Sequence, residues 1–178
     1  MEIARKIINE TCILDGIKFL IENRPIWHSD LLNSIYHFMD FIIKLNLPVS
    51  ALEACFTIAC IGIRLPYEPI QNKSLKLLIE MIHVKTELSS GIGEALFLRV
   101  VDMMQHKNSE THSSALRFVA SCLSGENTRL VDIAIENGIF ENLYNLLCSS
   151  STELVTETLW AISNITANSP AHASAFLD

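Results

Sequence analysis

The sequence has 178 residues, long enough for one domain with a sizeable core. It is 49% hydrophobic and 19% charged with a net charge of −7, which disfavours a basic nucleic-acid-binding face. The longest apolar run, residues 55–63, falls well short of the ~20 residues of a membrane-spanning helix, so we predict no membrane partner. No secretory signal is evident at residues 1–6, and the odd number of scattered cysteines favours a reducing compartment.

Apolar residues recur every three or four positions along most of the chain, as they do in amphipathic helices. Gly125 and Gly138 stand where a left-handed residue would end a helix. The Ser-x-x-Glu pattern at residues 150–153 is typical of a capping box at a helix start. In chain order, the pattern predicts helices over residues 12–23, 29–45, 49–64, 69–84, 93–106, 109–124, 129–137, 139–148 and 151–168.

The longer predicted helices align with one another. Leu32, Leu75, Leu116 and Leu159 are 43, 41 and 43 residues apart, and each long helix follows a shorter apolar one. A globin-like or four-helix bundle would not require this register, whereas it is typical of armadillo and HEAT repeats. We therefore predict an all-α, armadillo/HEAT-like right-handed α-solenoid of about four repeats. The predicted repeats are 1–47, 48–85, 86–125 and 126–169, with 170–178 as the start of a further repeat.

The last third of the chain resembles one armadillo family in detail. The run ETLWAISNITA at 157–167 resembles the third helix of an importin-α repeat, whose pattern is EAxWxxSNIxAG. ALR at 115–117 with Gly125 resembles the equivalent helix of the preceding repeat. IENGI at 135–139 and LYNLL at 143–147 resemble the first two helices of the later repeat. The resemblance covers about 109–178, and it implies the middle repeats through to the one that opens the family's second (minor) peptide site.

Five residues of the helix over 151–168 share one face because they recur at helical spacing: Glu153, Glu157, Trp160, Asn164 and Asn168. The apolar residues of this helix, Leu159 among them, are expected to pack on its other sides. An Asn amide both donates and accepts hydrogen bonds, so Asn164 can hold the backbone of an extended peptide. Trp160 offers a wall and a cation-attracting ring face to a lysine, and Glu157 can pair with its ammonium. On the residues alone, a packing Trp and a capping Asn are the more common alternatives.

The resemblance implies a peptide-binding set made of Trp160, Asn164, Glu157, Ser163, Arg117 and Ser121. Only the last repeat combines a Trp with an Asn, so we predict about one lysine pocket and modest affinity. In the earlier repeats, Arg117, Lys76 and Asn33 take the place of Trp160, and Ser121, Glu80 and His37 take the place of Asn164.

The resemblance implies a non-enzymatic adaptor that recognises basic nuclear localisation signals and works in the cytoplasm and nucleus. Its expected partner is a lysine- and arginine-rich segment, with a β-karyopherin added in a longer form, because the family's basic N-terminal segment is absent from this sequence. The alternative is a divergent armadillo scaffold that holds an acidic or apolar partner through Lys76 and Arg117. No phosphate loop, metal-ligand spacing or catalytic cluster is present, so we predict no enzyme activity, cofactor or metal site.

Overall fold

The computed structural model describes residues 13–23, 29–45, 49–124 and 128–177. In these residues it contains α-helices and one 3₁₀ helix and no β-strand, so the predicted all-α class is confirmed. None of the described helices combines the length and the apolar character that crossing a bilayer requires. The chain divides into two compact units, Met1–Val84 and Lys85–Asp178, which are described in turn.

The first unit is built from α1 (Ile13–Asn23), α2 (Ser29–Lys44), α3 (Val49–Arg64) and α4 (Glu68–Val84). Helix α3 packs along α4 and against α1, while α2 packs against both α3 and α4. The residues that fill the space between these helices are large aliphatic side chains and methionines, which bury apolar surface without leaving polar atoms unpaired. The largest fully buried ones are Met39, Ile42, Ile58, Ile63, Ile70, Leu75, Leu78, Met81 and Ile82.

A polar contact fixes how closely three of these helices approach. Tyr36 of α2 and Ser74 of α4 share a buried hydroxyl–hydroxyl hydrogen bond of 2.6 Å. Burial raises the pKa of Tyr36 to about 12, so the phenol stays protonated and available for that bond. Gly62 of α3 lies directly over the pair, where an added Cβ would overlap both hydroxyl oxygens. The glycine therefore serves close packing here and not a turn.

The second unit begins with a 3₁₀ helix, Thr86–Gly91, and continues with α5 (Glu94–Met103) and α6 (Ser109–Leu123). It then forms α7 (Thr128–Glu136), α8 (Ile139–Leu147), α9 (Thr152–Asn168) and α10 (Pro170–Leu177). Helix α9 is central to this unit, since it packs most extensively on α6 and also contacts α7, α8 and α10. Phe97 of α5 and Phe118 of α6 are the largest fully buried side chains of the unit.

Local signals in the sequence account for the helix ends. Gly138 adopts φ +72°, so the left-handed residue predicted between α7 and α8 is confirmed, whereas Gly125 lies outside the described residues. The cap of α9 is Ser151, whose hydroxyl accepts from the Leu154 amide at 3.4 Å, one residue later than the predicted capping box. Asn108 caps α6 by accepting from two amides of the first turn.

The predicted helices are all present, and all but one of their described ends agree with the prediction to within one residue. The exception is α5, which ends at Met103 and not at 106. After Met103 the backbone bonds tighten to the three-residue type, as in the 3.1 Å bond from the His106 amide to the Met103 carbonyl. The 3₁₀ helix Thr86–Gly91 was not predicted from the sequence as a separate element.

Candidate functional site

Helix α9 presents one buried face and one polar stripe. Its buried residues are Thr158, Ala161, Ile162 and Ile165. Thr158 is tolerated in the interior because its hydroxyl donates to the Leu154 carbonyl at 2.7 Å within the same helix. The predicted stripe is exposed or half-buried along its length: Glu153, Glu157, Trp160, Asn164 and Asn168. A ligand can therefore reach this face of α9.

Trp160 lies on the surface of α9 with 37% of its area exposed. This side chain is not sealed in the core, so part of the indole can contact a ligand. Leu159, which was expected to pack, is 54% exposed, and that expectation is wrong. Helical spacing assigned Leu159 to a side away from the polar stripe, but that side of α9 has no covering helix among the described residues.

Arg117 of α6 and Glu157 of α9 form an ion pair between the two helices. The Nη2 and Nε atoms of Arg117 donate to the same Oε1 of Glu157, at 2.6 and 3.0 Å. This hydrogen bond raises the pKa of Arg117, so its guanidinium stays charged. The Glu157 carboxylate that was predicted to receive a ligand's cation thus already holds an arginine of the same chain.

Asn164 joins the same two helices through its amide. Its Nδ2 atom donates to the Ala120 carbonyl at 2.9 Å. Ala120 lies in the last turn of α6, where carbonyls lack partners inside their own helix. This bond fixes the orientation of the side chain, which leaves Oδ1 and one hydrogen of Nδ2 for a ligand.

The two predicted serines lie in different environments. Ser121 of α6 is 1% exposed, and its hydroxyl donates to the Arg117 carbonyl at 2.8 Å. Ser163 is exposed on α9, nearly one helical turn after Trp160. The predicted residues that reach the surface together along α6 and α9 are therefore Arg117, Glu157, Trp160, Ser163 and Asn164.

Asn164 also lines an open cleft of about 1040 Å³ within the second unit. The cleft lies where the C-terminal ends of α6 and α9 meet the 3₁₀ helix and the start of α7. Its described lining is mostly small and polar: Thr86, Glu87, Ser89, Ser90, Leu123, Ser124, Thr128, Asn164, Ala167 and Asn168. The contribution of residues 86–90 was not predicted, because a short polar run without helical periodicity gives no signal of its own.

The cleft is rich in hydrogen-bond acceptors. Glu87 supplies a carboxylate, and the C-terminal ends of α6 and α9 carry the negative ends of their helix dipoles. The Ser124 hydroxyl donates to the Ser121 carbonyl, which leaves its oxygen lone pairs as acceptors. The Oδ1 atom of Asn168 is buried and accepts no hydrogen bond from the described residues. This chemistry suits a cation that donates several hydrogen bonds, such as an ammonium or guanidinium group.

Other chemistry is poorly supported in the part of the chain that the structure describes. No three histidine, cysteine, aspartate or glutamate side chains there converge as metal ligands would. Burial raises the pKa of Cys55 and of Cys60 to about 12, so neither thiol forms the reactive thiolate at neutral pH.

Residues 127–167 match the family model described as Armadillo/beta-catenin-like repeat. This match covers α7, α8 and nearly all of α9, which are the elements that carry the Trp160 and Asn164 positions. No curated protein matches the chain in sequence.

Solved structures extend the likeness over nearly the whole chain. An engineered protein of a structural genomics consortium is 20% identical with a TM-score of 0.75, over 97% of this chain and 43% of that one. A second is 19% identical with a TM-score of 0.70, over 92% of this chain and 68% of that one. A designed armadillo repeat protein in complex with the peptide (KR)4 is 18% identical with a TM-score of 0.70, over 92% of this chain and 69% of that one. The chain therefore has an armadillo-type α-solenoid fold, a fold that serves as a protein-binding scaffold.

Proposed function

We propose that the second unit binds an extended lysine- and arginine-rich peptide along α6 and α9, as an adaptor that resembles importin-α would. One observation carries the proposal: Asn164 lies one helical turn from the exposed Trp160 and also lines the acceptor-rich cleft. Three features thus follow one another along a single helix: a flat aromatic surface, an amide that both donates and accepts hydrogen bonds, and a cleft that accepts a cation. An extended chain with basic side chains complements this order.

Each part of the surface has a role in the proposed complex. Asn164 bonds the peptide backbone through Oδ1 and its remaining Nδ2 hydrogen, which keeps the peptide extended. A lysine stem packs on the indole of Trp160, where the ring face attracts the ammonium by ~0.5–2 kcal/mol. The side chain two residues along the peptide enters the cleft, where the exposed Glu87 carboxylate accepts its hydrogen bonds.

The Arg117–Glu157 pair limits affinity in this scheme. A peptide cation that approaches Glu157 must share the carboxylate with Arg117 or displace it. Both side chains are partly exposed, so the pair itself contributes only ~0.2–1 kcal/mol. We expect Arg117→Ala to strengthen the binding of a basic peptide severalfold, because it frees the carboxylate and removes a like charge.

The designed armadillo repeat protein in complex with (KR)4 supports this choice of ligand, since an alternating basic peptide can occupy this fold. We propose that the natural ligand is a nuclear localisation signal, that the protein acts in nuclear import, and that it works in the cytoplasm and nucleus. A longer form would also bind a β-karyopherin.

The test is a titration of a fluorescein-labelled peptide with the sequence (Lys-Arg)4 against the full chain. We expect binding that weakens as salt is raised, because the attraction is between partly exposed charges. Trp160→Ala should cost about 1–3 kcal/mol. Tyr144→Ala is the matched control, since Tyr144 is an exposed aromatic residue on α8 and not on the proposed surface. Equal losses for the two variants, or no binding by several basic peptides, would contradict the proposal.

The exposed guanidinium of Arg117 favours a second candidate, a scaffold for an acidic or apolar segment. In that case Arg117→Glu should weaken binding of the partner, and Asn164→Ala should have little effect. A glutamate-rich peptide of the same length, titrated in parallel, separates the two candidates by the sign of charge that binds.

A further inference from the structure

The packing of α9 on α6 has a defined register. The Arg117–Glu157 ion pair and the hydrogen bond from Asn164 to the Ala120 carbonyl join the two helices at successive points. The second contact lies further towards the C-terminus than the first on both helices, so α6 and α9 run parallel. The face that α9 uses for this packing is buried and comprises Thr158, Ala161 and Ile165.

A second face of α9 has the pattern of a packing surface and no covering helix among the described residues. Leu159 is 54% exposed, whereas Leu116, its equivalent in α6, is fully buried at 0%. The face carries no charged side chain, so burying it does not require a charge to be desolvated. Its other exposed members are Thr152, Thr156 and Ser163. The equivalent face of α6 is the one on which α9 packs. The uncharged face of α9 can therefore receive a further helix that packs as α9 does.

Helix α2 presents the complementary face. In the repeat register, Leu31, Ser34 and Phe38 of α2 occupy the positions of Thr158, Ala161 and Ile165 of α9. On α9 those positions are buried, but on α2 Leu31 is 39% exposed and Ser34 is exposed as well. Phe41, one turn further along α2, is 50% exposed. The face of α2 that is equivalent to the packing face of α9 is thus exposed at Leu31 and Ser34.

We propose that copies of this chain associate head to tail, with α2 of one copy docked on α9 of another in the register in which α9 docks on α6. The second copy's Asp30 would take the place of Glu157 beside Trp160. The second copy's His37 would take the place of Asn164, beside Ser163 of the first copy. Because the two faces differ, this contact is heterologous, and it extends into rings or filaments and not into closed two-fold dimers.

The test is sedimentation equilibrium of the full chain over a wide concentration range. The wild type should show a series of oligomers that grows with concentration. Leu159→Glu and Leu31→Glu should each weaken self-association about 30-fold, the size of effect expected for a charge buried at a contact centre. Val84→Glu is the matched control, because Val84 is a half-exposed apolar residue on neither face, and it should leave association unchanged. Phe41→Glu replaces Leu31→Glu if circular dichroism shows that the latter loses helix.

Mixing the variants makes the test specific for a head-to-tail contact. The Leu159→Glu chain keeps a working α2 face and the Leu31→Glu chain keeps a working α9 face. An equimolar mixture should therefore form one-to-one dimers that go no further. A wild type that stays monomeric, a mixture that stays monomeric, an unaffected Leu31→Glu chain, or a Val84→Glu chain that dissociates equally would overturn the proposal.

Discussion

Helices α4 and α9 have the same length and repeat register but expose different side chains. Both have 17 residues, and they align through Leu75 and Leu159 in the repeat register. At the two positions where α9 carries Trp160 and Asn164, α4 carries Lys76 and Glu80. The buried side of each helix is made of small and aliphatic residues that neighbouring helices cover. The apolar spacing therefore specifies the helices and their packing. Ligand recognition depends on a few side chains that this spacing does not constrain.

The small residue before each leucine shows the same division. Ser74 of α4 bonds across the first unit to the Tyr36 hydroxyl, while Thr158 of α9 bonds to a carbonyl of its own helix. Both solutions satisfy a buried hydroxyl, as burial requires. Only the first one ties two helices together, so the first unit should depend more strongly on its small-residue contact.

The largest expected effect is on that contact. Gly62→Ala should destabilise the protein by about 4 kcal/mol, because the new methyl group overlaps the Tyr36 and Ser74 hydroxyls and forces their buried bond apart. Urea denaturation monitored by circular dichroism measures the loss. Gly16→Ala is the control, since nothing lies within 4 Å of its Cβ position and alanine favours the helix. A Gly62→Ala protein as stable as the control would mean that the helices can separate at no cost.

The second prediction gives α9 the residue that α4 carries. Trp160→Lys should weaken binding of the labelled basic peptide by about 2–3 kcal/mol, since it removes the aromatic surface and adds a like charge. The free energy of unfolding should fall by only about 1 kcal/mol, because part of the Trp160 side chain is covered while 37% of it is exposed. Peptide titration and urea denaturation on the same sample separate the two effects. Equal peptide affinity in both proteins would show that recognition lies elsewhere.

Asn164 should contribute to both binding and stability, the latter through one hydrogen bond. Asn164→Ala leaves the Ala120 carbonyl without its donor near the end of α6, which should cost about 1 kcal/mol of stability. Asn164→Asp is an informative partner variant, because it keeps the size of the side chain but replaces the donating amide by an acceptor. It should therefore be at least as unstable as the alanine variant in urea. Unchanged midpoints for both variants would show that the bond to Ala120 contributes nothing.

The helices and the exposure of Trp160 could be predicted from periodicity, because a period of three to four residues specifies which side of a helix is buried. The Arg117–Glu157 pair could not be predicted in this way. The two residues are 40 positions apart, and they meet only because α6 and α9 pack side by side in the tertiary structure. The cleft was missed for a similar reason, because Thr86–Gly91 contributes through its location and not through a motif. Leu159 was assigned to the core because spacing says which residues share a face but not which faces a neighbour covers.

The smallest predicted effect is the pH dependence of Glu80, which occupies in α4 the position of Asn164 in α9. Partial burial raises the pKa of Glu80 above its usual value of 4.5, and the nearby Asp40 carboxylate raises it further by a smaller amount. The folded state therefore holds this proton more tightly than the unfolded chain, so the contribution of Glu80 to stability is fully present below about pH 4.5 and is lost as the pH rises through the folded pKa. Glu80→Gln removes that loss. It should raise the free energy of unfolding at pH 7 by about 0.3 kcal/mol, a small amount because the side chain is largely exposed. Urea denaturation of both proteins between pH 4 and 7 should show the difference shrinking towards zero at the acidic end, and a difference that is constant or grows on acidification would contradict the assignment.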